Sequence, residues 1–431
     1  MIKSNHTRFG FPVGYHDFHK KQIYNFQLNR WHSIGFARLE DMREAGGRIT
    51  DFRDWKSVMT ELADKALEEE RYLNAAIYYR SAEFYIIKRC AEKEELYGKF
   101  SELFYKAVKG ESFGRHDVPY KGSFLPAIQM PSAAGKAKDT IVLHGGFDSF
   151  MEEWFFWAKY LSQHGFDVII FEGPGQGAAI KTYNLPFRID WEKPVSALLD
   201  YFKLDDVTLY GLSMGGWFCL RAAAFESRVK RVIPSGHSID YLSLYGPVMK
   251  AMHLFFFKHF RKMTDKMSLR SIEKEKGLEA WMIGNLMYIT GSKTPMEALD
   301  IWLQLNTENE HSELVTQDVL YLHGQKDHFV FMKMYHMQMK ALINTRSLTG
   351  RVFTEREQAQ NHCQIGNVGL ALDTVIQWIK EKKIGTAHRL VLKPRQSGAI
   401  PLVAFLSGDR VQDVHALRSR SGTQGRRSTR L

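Results

Sequence analysis

Hydrophobic positions follow two different periods along the chain, and the change comes near Ser112. Residues 31–110 place apolar side chains three and four positions apart, which predicts helices. Asp54 is a candidate N-cap in this segment, and two further helices are expected within 71–108. The absence of a second copy at a fixed period argues against a solenoid. The helix after Asp54 is expected to have one apolar face, formed by Val58, Leu62, Ala66 and Leu67.

After Ser112, short apolar runs alternate with helical patterns. Five runs rich in Val, Ile, Leu, Tyr or Phe end in Gly or a polar turn, as buried strands do, and RVFTERE is a candidate sixth. Strands that are apolar throughout and alternate with helices predict an α/β protein with a mostly parallel sheet covered on both faces. The five runs are KDTIVLHGG, FDVIIFEGPGQG, DVTLYGLSMGG, VKRVIPSGH and DVLYLHGQKD.

The alternation breaks once, because no convincing strand lies between Asp240 and Thr316. MKAMHLFFFKHFRKM and LEAWMIGNLMYI are helical in pattern and rich in aromatic residues. These aromatic residues could face a membrane. A helical cap over a pocket is favoured, because Lys and Arg are interspersed and no run is long enough to span a bilayer.

These changes of pattern divide the chain into five segments. The sheet core is expected in two parts, separated by the cap insertion and preceded by the helical segment. The boundaries are 1–111 for the N-terminal helical segment, 112–239 and 317–384 for the core, 240–316 for the cap, and 385–431 for a basic tail.

Charge is concentrated in the tail. The 431 residues have a formal net charge of +11, and residues 385–431 hold nine basic and two acidic residues, which leaves +4 for the rest. Because the tail ends in RSRSGTQGRRSTRL and is poor in apolar residues, we expect it to be disordered. It could contact nucleic acid or anionic lipid. The favoured interpretation is a solvated appendage. Truncation near Gly385 should therefore preserve both fold and activity.

Other features bear on location and partners. Three cysteines without CxxC spacing indicate a reducing compartment, and the first residues lack the apolar stretch of a secretory signal. A cytoplasmic protein with a small-molecule substrate, no specific nucleic acid and no membrane span is therefore expected; a homodimer stays open. The last three residues, 429–431, resemble the peroxisomal S-K-L signal only weakly, so a peroxisomal location is the lesser alternative.

Residues 211–216, Gly-Leu-Ser-Met-Gly-Gly, match the G-x-S-x-G pattern between a strand and a helix of small residues. This strand–turn–helix arrangement is typical of the nucleophile elbow of an α/β-hydrolase. Ser213 is therefore a candidate nucleophile. The alternative is a strand-to-helix turn that contains a serine by chance.

A serine nucleophile needs a basic histidine and an acid that orients it, and in this fold they follow in the order Ser, Asp or Glu, His. Asp327 follows a strand, and His362 lies between the candidate last strand and the last helix. Position therefore favours Ser213, Asp327 and His362. The competitors are His311, His323, His328 and His336 as base, and Asp318, Glu355 and Glu357 as acid.

The oxyanion hole requires two backbone donors. The N–H of Met214, directly after the nucleophile, is one candidate. The other is expected near Gly146 or Phe147, in the loop after the strand that ends in His144.

Three other features receive no catalytic or cofactor role. GPGQG at 173–177 matches no nucleotide motif and is expected to form a tight loop at the active edge of the sheet. Cys363 lacks an elbow and is assigned to packing. The pairs His16/His19 and His253/His259 lack further ligands, so neither a metal nor a cofactor is expected.

Four motifs occur together and in order: DSFMEEW at 148–154, EGPGQG at 172–177, GLSMGG at 211–216 and NHCQIGN at 361–367. Over roughly residues 20–384 the chain resembles the α/β-hydrolases that include 2,6-dihydroxypseudooxynicotine hydrolase, the fermentation-respiration switch-like proteins and the fungal yellowish-green-type pigment-pathway hydrolases. The combination is specific for this family but not for a substrate.

The resemblance implies cleavage of a carbon–carbon bond next to a carbonyl, because several members do this and the fungal ones shorten polyketide chains by retro-Claisen hydrolysis. It implies Ser213 as nucleophile, His362 as base and then acid, and Asp327 as its partner. The nicotine-pathway enzyme has a further pocket glutamate in the region that here reads PSGHSIDYLSL, which contains His237 and Asp240 but no Glu. His237 and Glu153 are the candidate substrate contacts; Glu152 and Glu153 could instead be structural.

Three alternatives stay open. A carboxylic ester hydrolase would use the same three residues. A non-catalytic regulatory protein on this fold is disfavoured because the three residues are intact. A nucleic-acid-binding module would rest on the tail alone.

Overall fold

The computed structural model describes residues 9–87, 89–237, 239–274 and 277–391. Eight strands form one sheet in the order β1-β2-β4-β3-β5-β6-β7-β8. The strands are β1 (Gly114–Tyr120), β2 (Ser123–Met130), β3 (Thr140–His144), β4 (Asp167–Phe171), β5 (Val207–Leu212), β6 (Val229–Ser235), β7 (Asp318–Gly324) and β8 (Ser347–Phe353).

The strands β3 to β8 pair in parallel, as the sequence predicts. RVFTERE does contribute a strand, β8. The sequence prediction missed the first two strands, which form an antiparallel hairpin whose second strand also pairs antiparallel with β4. The edge strand β1 alternates between exposed and buried positions and contains Pro119. It therefore lacks the continuous apolar run by which the other strands were recognised.

Alternate residues of each inner strand point to opposite faces of the sheet. On β3, Ile141 and Leu143 belong to one apolar cluster and Val142 to the other. The first cluster also contains the buried side chains of the N-terminal helices. Those helices therefore complete one face of the sheet core.

Five helices precede the sheet, and two expectations about them are corrected. The N-cap of the third is Asp51, whose side chain accepts from the N–H groups of Arg53 and Asp54. Leu67 is 37% exposed, although Val58, Leu62 and Ala66 are buried, because it lies at the edge of the apolar stripe. The helices are α1 (Gln22–Ser33), α2 (Leu39–Arg48), α3 (Phe52–Glu68), α4 (Tyr72–Phe84) and α5 (Ala91–Ala107).

Eleven more helices lie between and after the parallel strands in the described ranges. None of the described helices has the length and hydropathy needed to cross a bilayer. They are α6 (Phe155–Gln163), α7 (Gly177–Lys181), α8 (Glu192–Phe202) and α9 (Met214–Phe225), then α10 (Pro247–His259), α11 (Arg261–Glu273), α12 (Gly277–Thr290), α13 (Pro295–Trp302) and α14 (Thr307–Glu310) between β6 and β7, and finally α15 (Met332–Ala341) and α16 (Val368–Val391).

The last helix continues to Val391, beyond the boundary that was expected before Gly385. Contacts divide the chain into one unit up to Ile384 and another from Gly385. The expected disorder of the tail falls on residues 392–431, which lie outside the described ranges.

Candidate active site

The turn after β5 holds Ser213 in a backbone conformation that residues with a side chain rarely adopt. Its φ is 58° and its ψ −129°, and its N–H donates to the Ser235 carbonyl oxygen on β6 at 2.8 Å. A Cβ on Gly211 would lie 2.0 Å from the Gly215 carbonyl oxygen, so this turn requires glycine. The strained serine is thus presented at the carboxyl edge of the sheet.

Ser213, His362 and Asp327 lie together in a chain of hydrogen bonds. His362 Nε2 is 2.9 Å from Ser213 Oγ, and His362 Nδ1 is 2.7 Å from Asp327 Oδ2. The other carboxylate oxygen of Asp327 accepts from the N–H groups of Phe329 and Val330, at 2.9 Å each. These two bonds fix the carboxylate, so Oδ2 is directed at the imidazole.

The electrostatics of the pair favour a charged imidazole beside a charged carboxylate. Burial opposes both charges, but the Asp327 carboxylate outweighs it and raises the pKa of His362 well above its ordinary value. Burial likewise opposes ionisation of Asp327, yet its contact with His362 lowers the pKa of that carboxyl. Mutual attraction between the two residues therefore prevails over their desolvation.

The competing residues form no hydrogen bond with Ser213, whose hydroxyl instead contacts His362. Burial lowers the pKa of His323 and of His328 to about 4 in each case, so both are neutral near pH 7. His311 instead lies 3.2 Å from Glu313, and His336 is exposed. The alternative acids pair with basic side chains: Asp318 with Arg346, Glu355 with Lys326 and Glu357 with Arg351.

The expected oxyanion loop lies directly against the elbow. A Cβ built on Gly146 would be 2.7 Å from the Met214 nitrogen and 2.9 Å from the Leu212 carbonyl oxygen. Met214 begins helix α9, where N–H groups are left without helical acceptors. Gly146, Phe147 and Met214 all line the cavity above Ser213.

Gln176 in the GPGQG loop holds the backbone of that oxyanion loop, a role that the sequence analysis missed. Its Nε2 donates to the carbonyl oxygens of Gly145 at 2.8 Å and Gly146 at 3.0 Å, and its Oε1 accepts from the Gly173 N–H. In a trans peptide the N–H points opposite to the C=O. Fixing these two carbonyls therefore also fixes the N–H groups of Gly146 and Phe147.

A cavity of about 470 Å³ opens above Ser213. Its walls are predominantly apolar and come from α1, from Tyr85 after α4, from the loops that follow the strands, from α9, and from the segment between β6 and β7. Cys363, which was assigned to packing, is buried and also lines this cavity. The apolar walls include Ile23, Phe26, Phe147, Leu212, Trp217, Leu278, Trp281, Met282, Trp302, Leu305, Phe329 and Ile365.

A sequence profile of the alpha/beta hydrolase fold family matches residues 140–364, which is more than half of the chain. The chain belongs to this alpha/beta hydrolase family. The matched range includes Ser213, Asp327 and His362. The expected fold class and the resemblance to this family are thereby confirmed, and the protein is a hydrolase of the alpha/beta type.

Two fungal hydrolases are similar over most of their length. The alpha/beta hydrolase psoB of Aspergillus fumigatus is 27% identical over 334 residues, which cover 66% of this chain and 74% of psoB. The 20-hydroxy-prefusarin hydrolase FUS2 of Gibberella moniliformis is 26% identical over 340 residues, which cover 68% and 79%.

Among solved structures, 2,6-dihydroxy-pseudo-oxynicotine hydrolase aligns with a TM-score of 0.58 and 21% identity, covering 81% of this hydrolase and 94% of that chain. The AbyA5 structure aligns with a TM-score of 0.61 and 16% identity, covering 84% and 95%. Both alignments extend well beyond residues 140–364. They therefore show that the hydrolase shares its fold with these proteins over most of its length.

The two expected substrate contacts do not line the hydrolase cavity, and that expectation is corrected. His237 is fully buried, with Nε2 3.2 Å from both Glu310 Oε1 and Gln338 Oε1. Glu153 is also fully buried and pairs with Arg30 at 2.5 Å and Arg80 at 2.9 Å. The Glu153 carboxylate and His237 Nε2 thus have partners inside the protein, whereas His237 Nδ1 is buried without a hydrogen-bond partner among the described residues.

The ion pairs of Glu153 belong to a buried network that joins the N-terminal helices of the hydrolase to the candidate oxyanion loop. Arg30 on α1 also pairs with Asp148 at 3.0 Å. Arg80 on α4 also pairs with Glu83 at 2.6 Å and donates to the Asp148 carbonyl oxygen. No local pattern marks Arg30 or Arg80, because their partners in the loop are far along the chain.

Among the described residues, no group of three or more His, Cys, Asp or Glu side chains could hold a metal ion.

Proposed function

We propose that this hydrolase uses Ser213, His362 and Asp327 as nucleophile, base and orienting acid to cleave a carbon–carbon bond next to a carbonyl in a polyketide-like or aromatic metabolite. The observation that carries the proposal is the hydrogen-bonded chain from Ser213 through His362 to Asp327, which opens into an apolar cavity. A volume of about 470 Å³ lies within the range of small-molecule sites.

In the first half-reaction, Ser213 Oγ adds to a ketone carbonyl while His362 Nε2 takes the hydroxyl proton. The oxyanion receives hydrogen bonds from the N–H of Met214 and from Gly146 or Phe147. When the tetrahedral intermediate collapses, the bond to the neighbouring carbon breaks. Its electron pair leaves as the enolate of the second carbonyl, and the His362 imidazolium protonates that enolate.

In the second half-reaction, neutral His362 takes a proton from water, and the resulting hydroxide attacks the acyl group on Ser213. Collapse of this intermediate releases a carboxylic acid and returns the proton to Ser213 Oγ. Asp327 keeps the imidazole in the required orientation and stabilises its charged form throughout.

The choice of a carbon–carbon bond rests on the leaving group and on the relatives. An enolate needs a nearby acid, and the Asp327 carboxylate favours the imidazolium form of His362. The relatives include a protein named 20-hydroxy-prefusarin hydrolase, and the fold is shared with 2,6-dihydroxy-pseudo-oxynicotine hydrolase. Apolar atoms make up most of the cavity surface, which favours a largely apolar substrate.

A fluorophosphonate probe tests the nucleophile. Labelling is expected at Ser213 and should be abolished in Ser213→Ala, provided that this variant keeps the thermal unfolding midpoint of the parent. Ser149→Ala is a matched control, because Ser149 is a second serine of the cavity lining, and it should still be labelled. Labelling that survives in Ser213→Ala would refute the assignment.

Product analysis tests the bond that is cleaved. Mass spectrometry of reactions with a panel of β-diketone polyketides and simple esters should show two shortened products from the β-diketones, one of them a carboxylic acid. Both reactions should disappear in Ser213→Ala. Turnover of the esters alone would favour the alternative, a carboxylic ester hydrolase with the same three residues.

A further inference from the structure

The helix α10 carries an apolar stripe that faces solvent. Val248, Met249, Met252, Phe255 and Phe256 follow the i, i+1, i+4, i+7, i+8 spacing by which a helix normally faces a core. All five are exposed, Val248 at 78% and Phe255 at 58%. A continuous stripe of five exposed apolar side chains on a protein surface indicates a binding site for a partner.

The stripe continues onto the next helix. Phe260, Met263 and Met267 are also exposed. No residue of α10 is buried, and Ile272 is the single buried residue of α11. The predicted cap therefore has two parts. Trp281 and Met282 on α12 line the cavity, whereas α10 and α11 do not.

Basic residues accompany the exposed apolar ones. Residues 247–273 contain six Lys or Arg and two Asp or Glu, a net charge of +4. Lys250 pairs with Asp240, and Arg261 with Asp300. The remaining four, Lys258, Lys262, Lys266 and Arg270, form no ion pair with another described residue.

This charge distinguishes between two candidate occupants. A second copy bound across a two-fold axis would place the same cationic patch against itself. The surface of an anionic bilayer would instead attract the lysines and accept the aromatic and Met side chains. Charge complementarity therefore favours a lipid surface.

We propose that α10 and α11 form a docking surface for an anionic membrane leaflet, with the apolar stripe inserted at the level of the headgroups and the lysines against the phosphates. Tyr241, which precedes α10, is both exposed and part of the cavity lining. The docked face thus adjoins the cavity. The docking surface does not depend on the proposed reaction.

Co-sedimentation of the full chain with vesicles tests the proposal. Binding should be at least about tenfold tighter to phosphatidylcholine vesicles that contain phosphatidylserine than to phosphatidylcholine alone, and should weaken as salt is added. Lys258→Gln with Lys262→Gln should weaken binding roughly fivefold for each charge removed. Equal binding to both kinds of vesicle, or none to either, would overturn the proposal.

The apolar contribution is tested separately. Val248→Ser with Phe255→Ser should reduce binding by about tenfold or more. Ile343→Ser is the matched control, because Ile343 is 71% exposed and lies outside the two helices, and it should bind like the parent. Unchanged thermal unfolding midpoints show that each variant is folded. A concentration-dependent dimer that Phe255→Ser dissociates would assign the stripe to a second copy and overturn membrane docking.

Discussion

At the level of single residues, the proposed reactivity of Ser213 depends on the two hydrogen bonds of His362. One joins it to Ser213 Oγ, and the other to the Asp327 carboxylate. The carboxylate stabilises the proton that the imidazole takes up, and the backbone donors of Phe329 and Val330 keep that carboxylate in place. In the proposed mechanism, proton transfer from Ser213 to His362 is therefore assisted by a buried carboxylate whose position is fixed.

The pH dependence of the serine should follow His362. In the proposed mechanism the neutral imidazole of His362 is the base. Fluorophosphonate inactivation should therefore be fast at high pH and should slow as pH falls through the His362 pKa. Because Asp327 raises that pKa, the acid limb should lie above the value of about 6.5 for an ordinary histidine. A pH profile of the inactivation rate measures this limb.

The Asp327→Asn variant gives the matched comparison. Loss of the negative charge should move the acid limb to lower pH and reduce the rate roughly ten-thousandfold. An acid limb that is unchanged in this variant would show that another group controls the titration.

Gln176→Glu should impair the oxyanion loop. The substitution replaces a donor amide by a carboxylate that faces the Gly145 and Gly146 carbonyl oxygens. We expect kcat to fall about a hundredfold, with a smaller change in KM, because the loop serves the transition state. Steady-state kinetics on the β-diketone substrate measure the two constants.

Gln304→Glu is the control for this prediction. The Gln304 amide also donates to a backbone carbonyl, that of Asp300, but it is exposed. Its kinetic constants should match those of the parent. An equal fall in kcat and rise in KM for both variants would contradict a specific role of Gln176.

At the level of elements, the N-terminal helices and the oxyanion loop are joined by charges rather than by apolar contacts alone. Arg30 on α1 and Arg80 on α4 both pair with Glu153, which follows the loop. Burial makes these charges costly unless each one is paired. The network therefore fixes the position of α1 and α4 relative to the loop.

Arg80→Ala should lower the free energy of unfolding by about 3–5 kcal/mol, because it leaves Glu153 and Glu83 with fewer partners in a buried site. Arg48→Ala is the control. Arg48 pairs with Glu44 and Glu61 at the surface, so its loss should cost less than about 1 kcal/mol. Urea unfolding measures the free energy of unfolding of both variants. Equal decreases in that free energy would contradict a stabilising role of the buried network.

At the level of the whole molecule, one apolar cluster spans the N-terminal helices and the sheet. Trp31, Trp55 and Phe104 belong to the same cluster as Ile141 and Leu143 of β3. Removal of the helices would expose that face of the sheet to water. The N-terminal segment is therefore an integral part of the fold.

Two truncations test this view. A chain that lacks residues 1–107 should fail to give a cooperative thermal transition. A chain that ends at Val391 should retain the unfolding midpoint of the parent and its labelling at Ser213, because the apolar clusters and the candidate triad precede that residue. Loss of folding in the second chain would show that the basic tail has a structural role.

The sequence by itself determined the parallel strands, the elbow at Ser213 and the order of Asp327 and His362. Each of these depends on local periodicity or on the fixed chain order of a known turn and triad. Where the local pattern was weaker, the prediction failed: the hairpin strand β1 alternates in polarity, and the N-cap is Asp51 rather than Asp54.

Only the tertiary structure decided which side chains face the cavity. Glu153 and His237 point into the protein because their partners, Arg30, Arg80 and Glu310, come from distant parts of the chain. Packing of distant elements likewise decides that Gln176 binds the backbone of the candidate oxyanion loop and that the apolar stripe of α10 is exposed. Spacing along a helix or strand shows which residues share a face, but the packing of distant elements decides what that face meets.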